Sequence, residues 1–327
     1  MTKKIRAFSI VIILLIISII VAVGIGSVKV PINELITGII NGQGGNIGVV
    51  KDIRLPRIVM ALLVGANLSV SGVLLQAVMG NPLADPGITG ISSGASIAVM
   101  FLMLYMPGAV TTIPFWGFIG GVVACFLIYS LAWKDGISAM RIILAGVAVN
   151  AMLGGMTSMM SILNSEKLSG VLNWLNGSLS GKSWSDIRIM CVYTIVGLIL
   201  AFLMFNACNV LELGDKTAKS LGVNPNVQRI IISMVAVFLA GISTAFAGVI
   251  GFLGLVVPHI SRIMVGSDHK TLIPFSALLG SLVLLLADTF GRNIASPYEI
   301  PVGVVMAVLG GPFFLYQLRK GGKSYGG

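Results

Sequence analysis

The feature that most constrains this chain is a succession of apolar stretches, each about long enough to cross a lipid bilayer. The first, Phe8 to Gly26, follows Lys3, Lys4 and Arg6 and has no clear small-residue cleavage site. Its apolar part is longer than a typical signal-peptide core, so we interpret it as a retained first span. Since one span needs about 20 residues, the chain has room for roughly ten helices with short loops.

Composition agrees with a chain that lies in lipid. Hydrophobic residues make up 56% of the 327-residue sequence and charged residues only 10%, which is more apolar than a soluble domain requires. We therefore predict an all-α integral membrane protein, with one transmembrane domain over residues 1–327 and about ten transmembrane helices. After the first run, the predicted spans lie near 57–79, 90–107, 113–133, 140–163, 187–207, 228–249, 252–266, 271–290 and 301–318.

Two predicted spans, near 90–107 and 252–266, are short and rich in Gly or Pro. Irregular backbone at membrane depth is tolerated only where protein or a water-filled cavity surrounds it, so these segments indicate a pathway. The string from Gln76 to Gly87 contains two prolines and predicts an irregular turn at the inner side of the membrane. Asn81 or Asp85 can bond the amides that such a turn leaves free.

Basic residues set the orientation of the predicted spans. Most Lys and Arg fall on the side that holds the two termini, so the positive-inside rule places both termini in the cytoplasm. The polar segment 29–55 then lies outside. A net charge of +10 could indicate nucleic acid, but the basic residues flank apolar runs, and the membrane interface accounts for them. We predict no nucleic-acid partner.

A charged island at 211–225 interrupts the second half of the chain. It lies between two strongly apolar blocks and predicts a short amphipathic helix closed by Gly222 and Pro225. On the predicted topology it faces the cytoplasm, between the sixth and seventh spans.

The two halves of the chain show a weak internal repeat. Four positions recur at one constant offset that corresponds to five spans: Gly65, Gly72, Pro82 and Gly90 in the first half, and Gly241, Gly248, Pro258 and Gly266 in the second. Because five is odd, the two copies would be inverted in the membrane, as in many transporters. An inverted repeat favours transport over catalysis.

Three arginines mark the predicted outer face. Arg54 and Arg57 stand just before the second span, and Arg292 ends the ninth. They could simply extend toward the membrane interface, as long basic side chains do at span ends. They could also pair with carboxylates of an extracellular partner and orient it.

Several residue types in the sequence can act as metal ligands or proton carriers. The three cysteines, Cys125, Cys191 and Cys208, lie in apolar stretches without metal-ligand spacing, which favours packing. His259 and His269 are too far apart in sequence to share a helix face as metal ligands, so we predict no metal site. The methionines of the fifth span (Met152, Met156, Met159 and Met160) favour adaptable packing. Asp288 and Glu299 could relay protons, or each could pair with Arg292.

Sequence motifs also bear on enzyme classes. We find no HExxH, no GxSxG with partners, no paired membrane aspartates and no Walker A motif. The chain is therefore predicted not to be an enzyme, and any ATP hydrolysis would belong to a separate polypeptide. An ion-coupled secondary transporter stays open as an alternative, although it gives no reason for the island or the outer arginines.

Motifs along nearly the whole chain resemble the FecCD-type permeases of ABC importers for iron-siderophore, haem and vitamin B12. They begin with Arg54-Leu-Pro-Arg57 and Asn81-Pro-Leu-Ala-Asp-Pro86, and continue with Asn173-Trp-Leu-Asn-Gly177 and Leu213-Gly-Asp215 followed by Leu221-Gly222. The longest match starts at Gly248 and includes Pro258-His259 and Arg262, followed by Asp268-His269 and Glu299-Ile-Pro-Val-Gly303.

The resemblance implies a type II ABC importer permease in a bacterial cell membrane. Such a permease is a homodimer with a central pathway, two cytosolic ATP-binding subunits and an external substrate-binding protein, which is extracellular or periplasmic. The resemblance implies no cofactor on this chain, with ATP and Mg bound by the ATPase. It implies an iron chelate of the siderophore class as cargo, with haem or cobalamin as alternatives.

The resemblance also implies roles for individual residues. Arg54, Arg57 and Arg292 match the arginines that dock the binding protein. The ATPase-coupling residues would be Leu213, Gly214, Asp215, Ala218, Leu221 and Gly222, with the apolar side chains buried in the partner. The inner gate of the pathway would include Asn81, Leu83, Ala139 and Met140.

Overall fold

The computed structural model describes residues 2–25, 47–134 and 139–321, and regular structure within these ranges is helical, with no strand. The all-α prediction is confirmed. Most of the predicted external segment 29–55 lies outside the described residues, as does the link at 135–138 before the fifth predicted span.

The described parts of the chain contain thirteen α-helices of six or more residues. They are α1 (Thr2–Gly24), α2 (Leu55–Met79), α3 (Ile91–Tyr105), α4 (Ile113–Ala132), α5 (Ala139–Leu163), α6 (Leu168–Leu175), α7 (Trp184–Leu203), α8 (Phe205–Glu212), α9 (Asp215–Ser220), α10 (Pro225–Ala247), α11 (Leu253–Val265), α12 (His269–Ile294) and α13 (Val302–Gly321). A π-helical turn, Val50–Arg54, leads into α2, and a 3₁₀ turn, Pro86–Thr89, precedes α3.

Seven helical segments in the described ranges are long and apolar enough to cross a membrane: Lys3–Gly24, Val50–Met79, Pro107–Ala132, Met140–Leu163, Trp184–Leu203, Pro225–Ala247 and His269–Ile294. Three apolar helices are shorter: Ile91–Tyr105, Leu253–Val265 and Val302–Tyr316. Two of the short helices fall at the predicted short spans near 90–107 and 252–266. The number of helices that cross the bilayer, about ten, stays a prediction.

Helix α2 forms the centre of the bundle. In the most apolar stretch of α2, 83% of the residues are buried, and α2 packs against α10, α11 and α12. The buried share of the corresponding stretch is 78% in α10 but only 17% in α5. Gly65 lies in α2 and its repeat counterpart Gly241 lies in α10. Both helices are therefore central in the bundle.

Close backbone contacts explain two of the glycines in α2. A Cβ atom at Gly65 would overlap the carbonyl oxygen of Gly280 in α12, and one at Gly72 would overlap the carbonyl oxygen of Gly254 in α11. Small residues at such positions let helix backbones approach closely, which is how helices associate where lipid offers no hydrophobic driving force. These two glycines thus let α11 and α12 pack closely against α2.

Helix α2 ends in the irregular turn that the sequence predicts. Gly80 adopts a left-handed conformation with φ of 54°, which ends the helix without steric cost. Asn81 Oδ1 then accepts the N–H of Leu83 at 2.9 Å, and Asp85 Oδ1 accepts the N–H of Gly87 at 2.8 Å. The prediction that Asn81 and Asp85 bond freed amides is confirmed. We call residues 80–90 the inner loop.

Candidate functional site

An ion-pair network joins the start of α2 to the end of α12. Arg57 donates from Nε to both carboxylate oxygens of Asp288 at 3.1 Å, and from Nη2 to Oδ1 at 3.0 Å. Arg292 reaches the other face of Asp288, with Nε 3.2 Å from Oδ2. Glu299, in the loop before α13, accepts from Arg57 Nη1 at 2.6 Å. Asp288, which is only 1% exposed, therefore forms ion pairs with two guanidinium groups.

This network bears on both interpretations of the three arginines, extension toward the membrane interface and docking of an extracellular partner. Arg54 is also buried, and its Nη1 donates to the carbonyl of Val23 at 2.7 Å, at the end of α1. The predicted pairing of Asp288 with Arg292 is confirmed, whereas the salt bridge of Glu299 is made with Arg57. Docking of a partner by Arg54, Arg57 and Arg292 stays a prediction. The structure adds that their guanidinium groups already contact this chain.

The inner loop brings together part of the predicted inner gate. Leu83 is exposed, and Asn81 is half-buried beside it. Met140, in the first turn of α5, is 64% exposed, whereas the side chain of Ala139 lies outside the described residues. Asn150 of α5 donates to the carbonyl of Gly87 at 2.9 Å, so α5 is bonded directly to the inner loop.

Asp85 lies in the same loop and has an unusual electrostatic setting. Burial raises the pKa of Asp85 to about 6, and its hydrogen bond from the Gly87 N–H opposes that shift by favouring the charged form. The sequence predicts the turn but not this rise in pKa, which arises from the packing around the loop.

The charged island differs from the single helix that the sequence predicts. Helix α8 ends at Glu212, Gly214 turns the chain with φ of 87°, and the short helix α9 follows. Gly222, with φ of 77°, closes α9 as predicted. The prediction that Pro225 helps to close this helix is wrong, because Pro225 begins α10, where its missing N–H costs no hydrogen bond.

The island presents fewer apolar side chains than predicted. Leu213 and Leu221 are each 58% exposed, in agreement with a surface that a partner could cover. Ala218 is fully buried within this chain, so it cannot belong to an exposed face. We call residues 211–225 the coupling segment, after the role that the family resemblance implies, and Leu213 and Leu221 are its exposed apolar residues.

Two acids of the coupling segment pair with arginines from the helix bundle. Asp215 accepts two hydrogen bonds from Arg229 of α10, at 3.0 Å and 2.8 Å. Glu212 Oε1 lies 3.9 Å from Nη2 of Arg262 in α11. Burial raises the pKa of Glu212, and Arg262 opposes that shift. The family resemblance implied that Asp215 takes part in ATPase coupling, but the sequence did not indicate this internal pairing.

The two histidines serve local structure. His269 is fully buried, and its ring Nδ1 lies 2.8 Å from Asn209 Oδ1 in α8. The ring of His259 packs edge-on against Phe313 with centroids 6.0 Å apart. Within the described ranges, no three His, Cys, Asp or Glu residues come together as a metal site.

Helix α5 carries the methionines that the sequence assigned to adaptable packing. Met152, Met156 and Met159 are about half exposed, whereas Met160 packs in a small cluster with α3 and α6. Leu144 and Val147 are also more than half exposed, so α5 turns an apolar face away from the described chain.

Comparison with known proteins places this helical bundle among the permeases of ABC transporters. A solved structure assigned provisionally to the metal-chelate type of ABC transporter, in an inward-facing conformation, matches 97% of this chain and 99% of its own, with a TM-score of 0.83 and 27% identity. The chain belongs to the FecCD transport family, whose sequence profile matches residues 14–320.

Relatives in the family are permeases for several iron compounds. The chain is 41% identical to the Fe(3+)-citrate import system permease protein YfmD of Bacillus subtilis (strain 168), over 84% of this chain and 82% of the relative. It is 37% identical to the iron(3+)-hydroxamate permease FhuG of the same strain, over 97% and 98%. It is 39% identical to the probable heme-iron permease IsdF of Staphylococcus aureus (strain MSSA476), over 97% and 96%. The chain is thus a transport subunit, and ATPase activity lies in separate subunits.

Proposed function

We propose that this chain forms the translocation pathway of an ATP-driven importer for an iron chelate of the siderophore class. The cargo proposal rests on the sequence identity of this chain to permeases of iron-citrate and iron-hydroxamate import systems. Haem is the second candidate, because the relative named for heme-iron transport covers the chain equally fully. Cobalamin is the third, on the family resemblance alone.

The proposed assembly is a homodimer in a bacterial cell membrane, with both termini in the cytoplasm. The exposed apolar face of α5 supports a second copy, since a pathway on a two-fold axis needs one face of each chain to meet the other. Two ATP-binding subunits would contact the coupling segment, and an external binding protein would deliver the chelate. No cofactor is assigned to this chain, and ATP and Mg would bind the ATPase.

At the outer end, the proposed docking site is the network of Arg57, Asp288, Arg292 and Glu299, together with Arg54. Only Glu299 in this network has a substantially exposed side chain, 40% by area. A carboxylate of the binding protein could therefore reach Arg57 by taking the place of Glu299. Arginine suits such an exchange because its planar group binds carboxylates in two-point fashion.

At the inner end, the proposed gate is formed by Asn81, Leu83, Ala139 and Met140. Opening and closing of this gate would alternate with access from outside, and the binding of ATP by the partner subunits would shift the balance between the two states. The hydrogen bond from Asn150 to Gly87 supports a gate in which the inner loop and α5 move together.

The cargo proposal is tested by uptake in cells that lack the chromosomal copy of this permease. Cells complemented with the gene, and cells with an empty vector, are given radioactive iron as ferric citrate, as a ferric hydroxamate or as haem. We expect uptake of one of the two ferric chelates to depend on the gene. Gene-dependent uptake of haem alone would replace the chelate proposal with the haem proposal.

A further inference from the structure

We propose that Arg229 and Arg262 are positioning residues that fasten the coupling segment to the last turn of α2. Through them, a displacement of the coupling segment by the ATP-binding subunits would move the inner loop. The inference rests on the proposed function, because it assumes that the coupling segment contacts the ATPase and that the inner loop belongs to the gate.

The first connection runs through Arg229. Its two terminal nitrogens hold the carboxylate of Asp215 at 3.0 Å and 2.8 Å, and its Nε donates to the carbonyl of Val78 at 3.1 Å. Val78 lies one residue before the end of α2, where helix carbonyls have no intrahelical partner. One guanidinium thus joins α9 of the coupling segment to the end of α2.

The second connection runs through Arg262. Its Nη2 faces Glu212 at 3.9 Å, and its Nη1 donates to Gln76 Oε1, also in the last turn of α2. Gln76 is 3% exposed, and its Nε2 lies 3.4 Å from the carbonyl of Ala84 in the inner loop. A chain of polar contacts therefore extends from Glu212 to the inner loop through one buried amide.

Close contacts around Gln76 also join α2 to α11 and to the inner loop. Pro258 lacks the N–H that would bond the carbonyl of Gly254 one turn earlier in α11. Gln76 Nε2 lies 3.4 Å from that carbonyl and supplies a donor in its place. A Cβ at Gly254 would lie 2.7 Å from the Pro86 ring of the inner loop and 3.1 Å from the Leu68 carbonyl of α2, so α11 approaches both closely.

The two connections converge from different helices. Both begin at an acid of the coupling segment, both pass through an arginine, and both end in the last turn of α2, directly before the inner loop. Arginine is required because a guanidinium can bind a carboxylate and a second acceptor at once, whereas lysine is a single point charge. Lysine at either position should keep the charge and loosen the connection.

The test uses the full complex in lipid vesicles, with ATP-binding subunits and binding protein. Hydrogen–deuterium exchange of the peptide over 80–90 is measured without nucleotide and with ATP, Mg and vanadate, for wild type, R229K, R262K and the double variant. We expect nucleotide to change exchange of the inner loop in wild type and to change it less in the variants, least in the double. ATP hydrolysed per substrate should rise by roughly 2- to 30-fold, the range for residues in a coupling network.

Asn67→Leu provides the matched control. Asn67 is the other buried amide of α2, and it bonds Thr194 at 2.9 Å, away from both connections. This variant should lose stability yet keep the wild-type response of the inner loop to nucleotide. A wild-type response in the double arginine variant would overturn the inference. A wild-type complex that neither transports nor hydrolyses ATP would instead overturn the proposed function.

Discussion

At the scale of single residues, the ion-pair network of Arg57, Asp288, Arg292 and Glu299 buries several charges together. Asp288 is almost completely buried and pairs with both Arg57 and Arg292. Buried charges are costly to desolvate, and geometry and additional hydrogen bonds must compensate. Here Arg57 makes a forked contact with Asp288 and a further bond to Glu299. Removing one member should therefore leave an uncompensated charge.

Neutralising Asp288 tests this account of the network. Asp288→Asn leaves two guanidinium groups side by side without their shared counter-charge, and we expect a loss of about 3–5 kcal/mol in unfolding free energy. The loss is measured by thermal unfolding of the purified chain in detergent. Asp52→Asn, which neutralises an exposed carboxylate near the same end, is the control. Equal stability of the two variants would contradict the assigned pairing.

Glu299 offers a cleaner test of docking than reversal of the arginines, because Arg57→Glu would also leave Asp288 facing a like charge. Glu299→Gln weakens a single bond, the one between Glu299 and Arg57 Nη1. If partner carboxylates take the place of Glu299, this variant should bind the binding protein several-fold more tightly, with slower dissociation, and the gain should shrink as salt is raised. Weaker binding measured by surface plasmon resonance would contradict docking by exchange.

Asp85 gives a prediction about pH. Its pKa rises from an ordinary 3.8 to about 6, so the folded chain binds a proton more readily than the unfolded chain between these values. Stability should therefore fall as pH rises through this window. Asp85→Asn keeps an oxygen for the Gly87 N–H and should be more stable than wild type at pH 7, with the difference vanishing toward pH 4. Thermal unfolding across this range checks it, and a difference independent of pH would contradict the assignment.

At the scale of helices, the sequence predicted most of what depends on local chemistry. The turn after α2 follows from Gly80, Asn81 and Asp85, whose roles are local. The coupling segment was predicted at the right place, but its division at Gly214 and the burial of Ala218 were not. Burial of Ala218 depends on how α9 packs against α8 and α10. The sequence of residues 211–225 alone does not contain that information.

The coupling segment has two kinds of apolar residue that mutation can separate. Leu221→Asp places a charge on a surface exposed in this chain, so folding should persist while ATPase and transport become uncoupled. Ala218→Asp buries a charge without a partner and should destabilise the chain itself. Thermal unfolding in detergent and transport per ATP in vesicles distinguish the two effects. Normal coupling with Leu221→Asp would exclude this residue from the ATPase contact.

At the scale of the whole molecule, apolar run lengths predicted the fold class and the family motifs predicted the kind of protein. The contacts between distant positions were beyond the sequence. Arg57 and Asp288, like Gln76 and Arg262, join helices that also approach closely at glycines of α2, α11 and α12. The repeated glycines marked α2 and α10 as related, and both prove to be central. That the exposed face of α5 meets a second copy of the chain stays a prediction.

The measurement that tests the account most directly is uptake into vesicles that contain the purified complex. Radioactive ferric chelate, loaded on the binding protein, is supplied outside, and ATP with Mg is enclosed with the ATP-binding subunits. The account predicts accumulation that requires both ATP and this chain, stops with a non-hydrolysable analogue, and is unaffected by collapse of ion gradients. Accumulation that persists without ATP and disappears when an ion gradient is collapsed would contradict it.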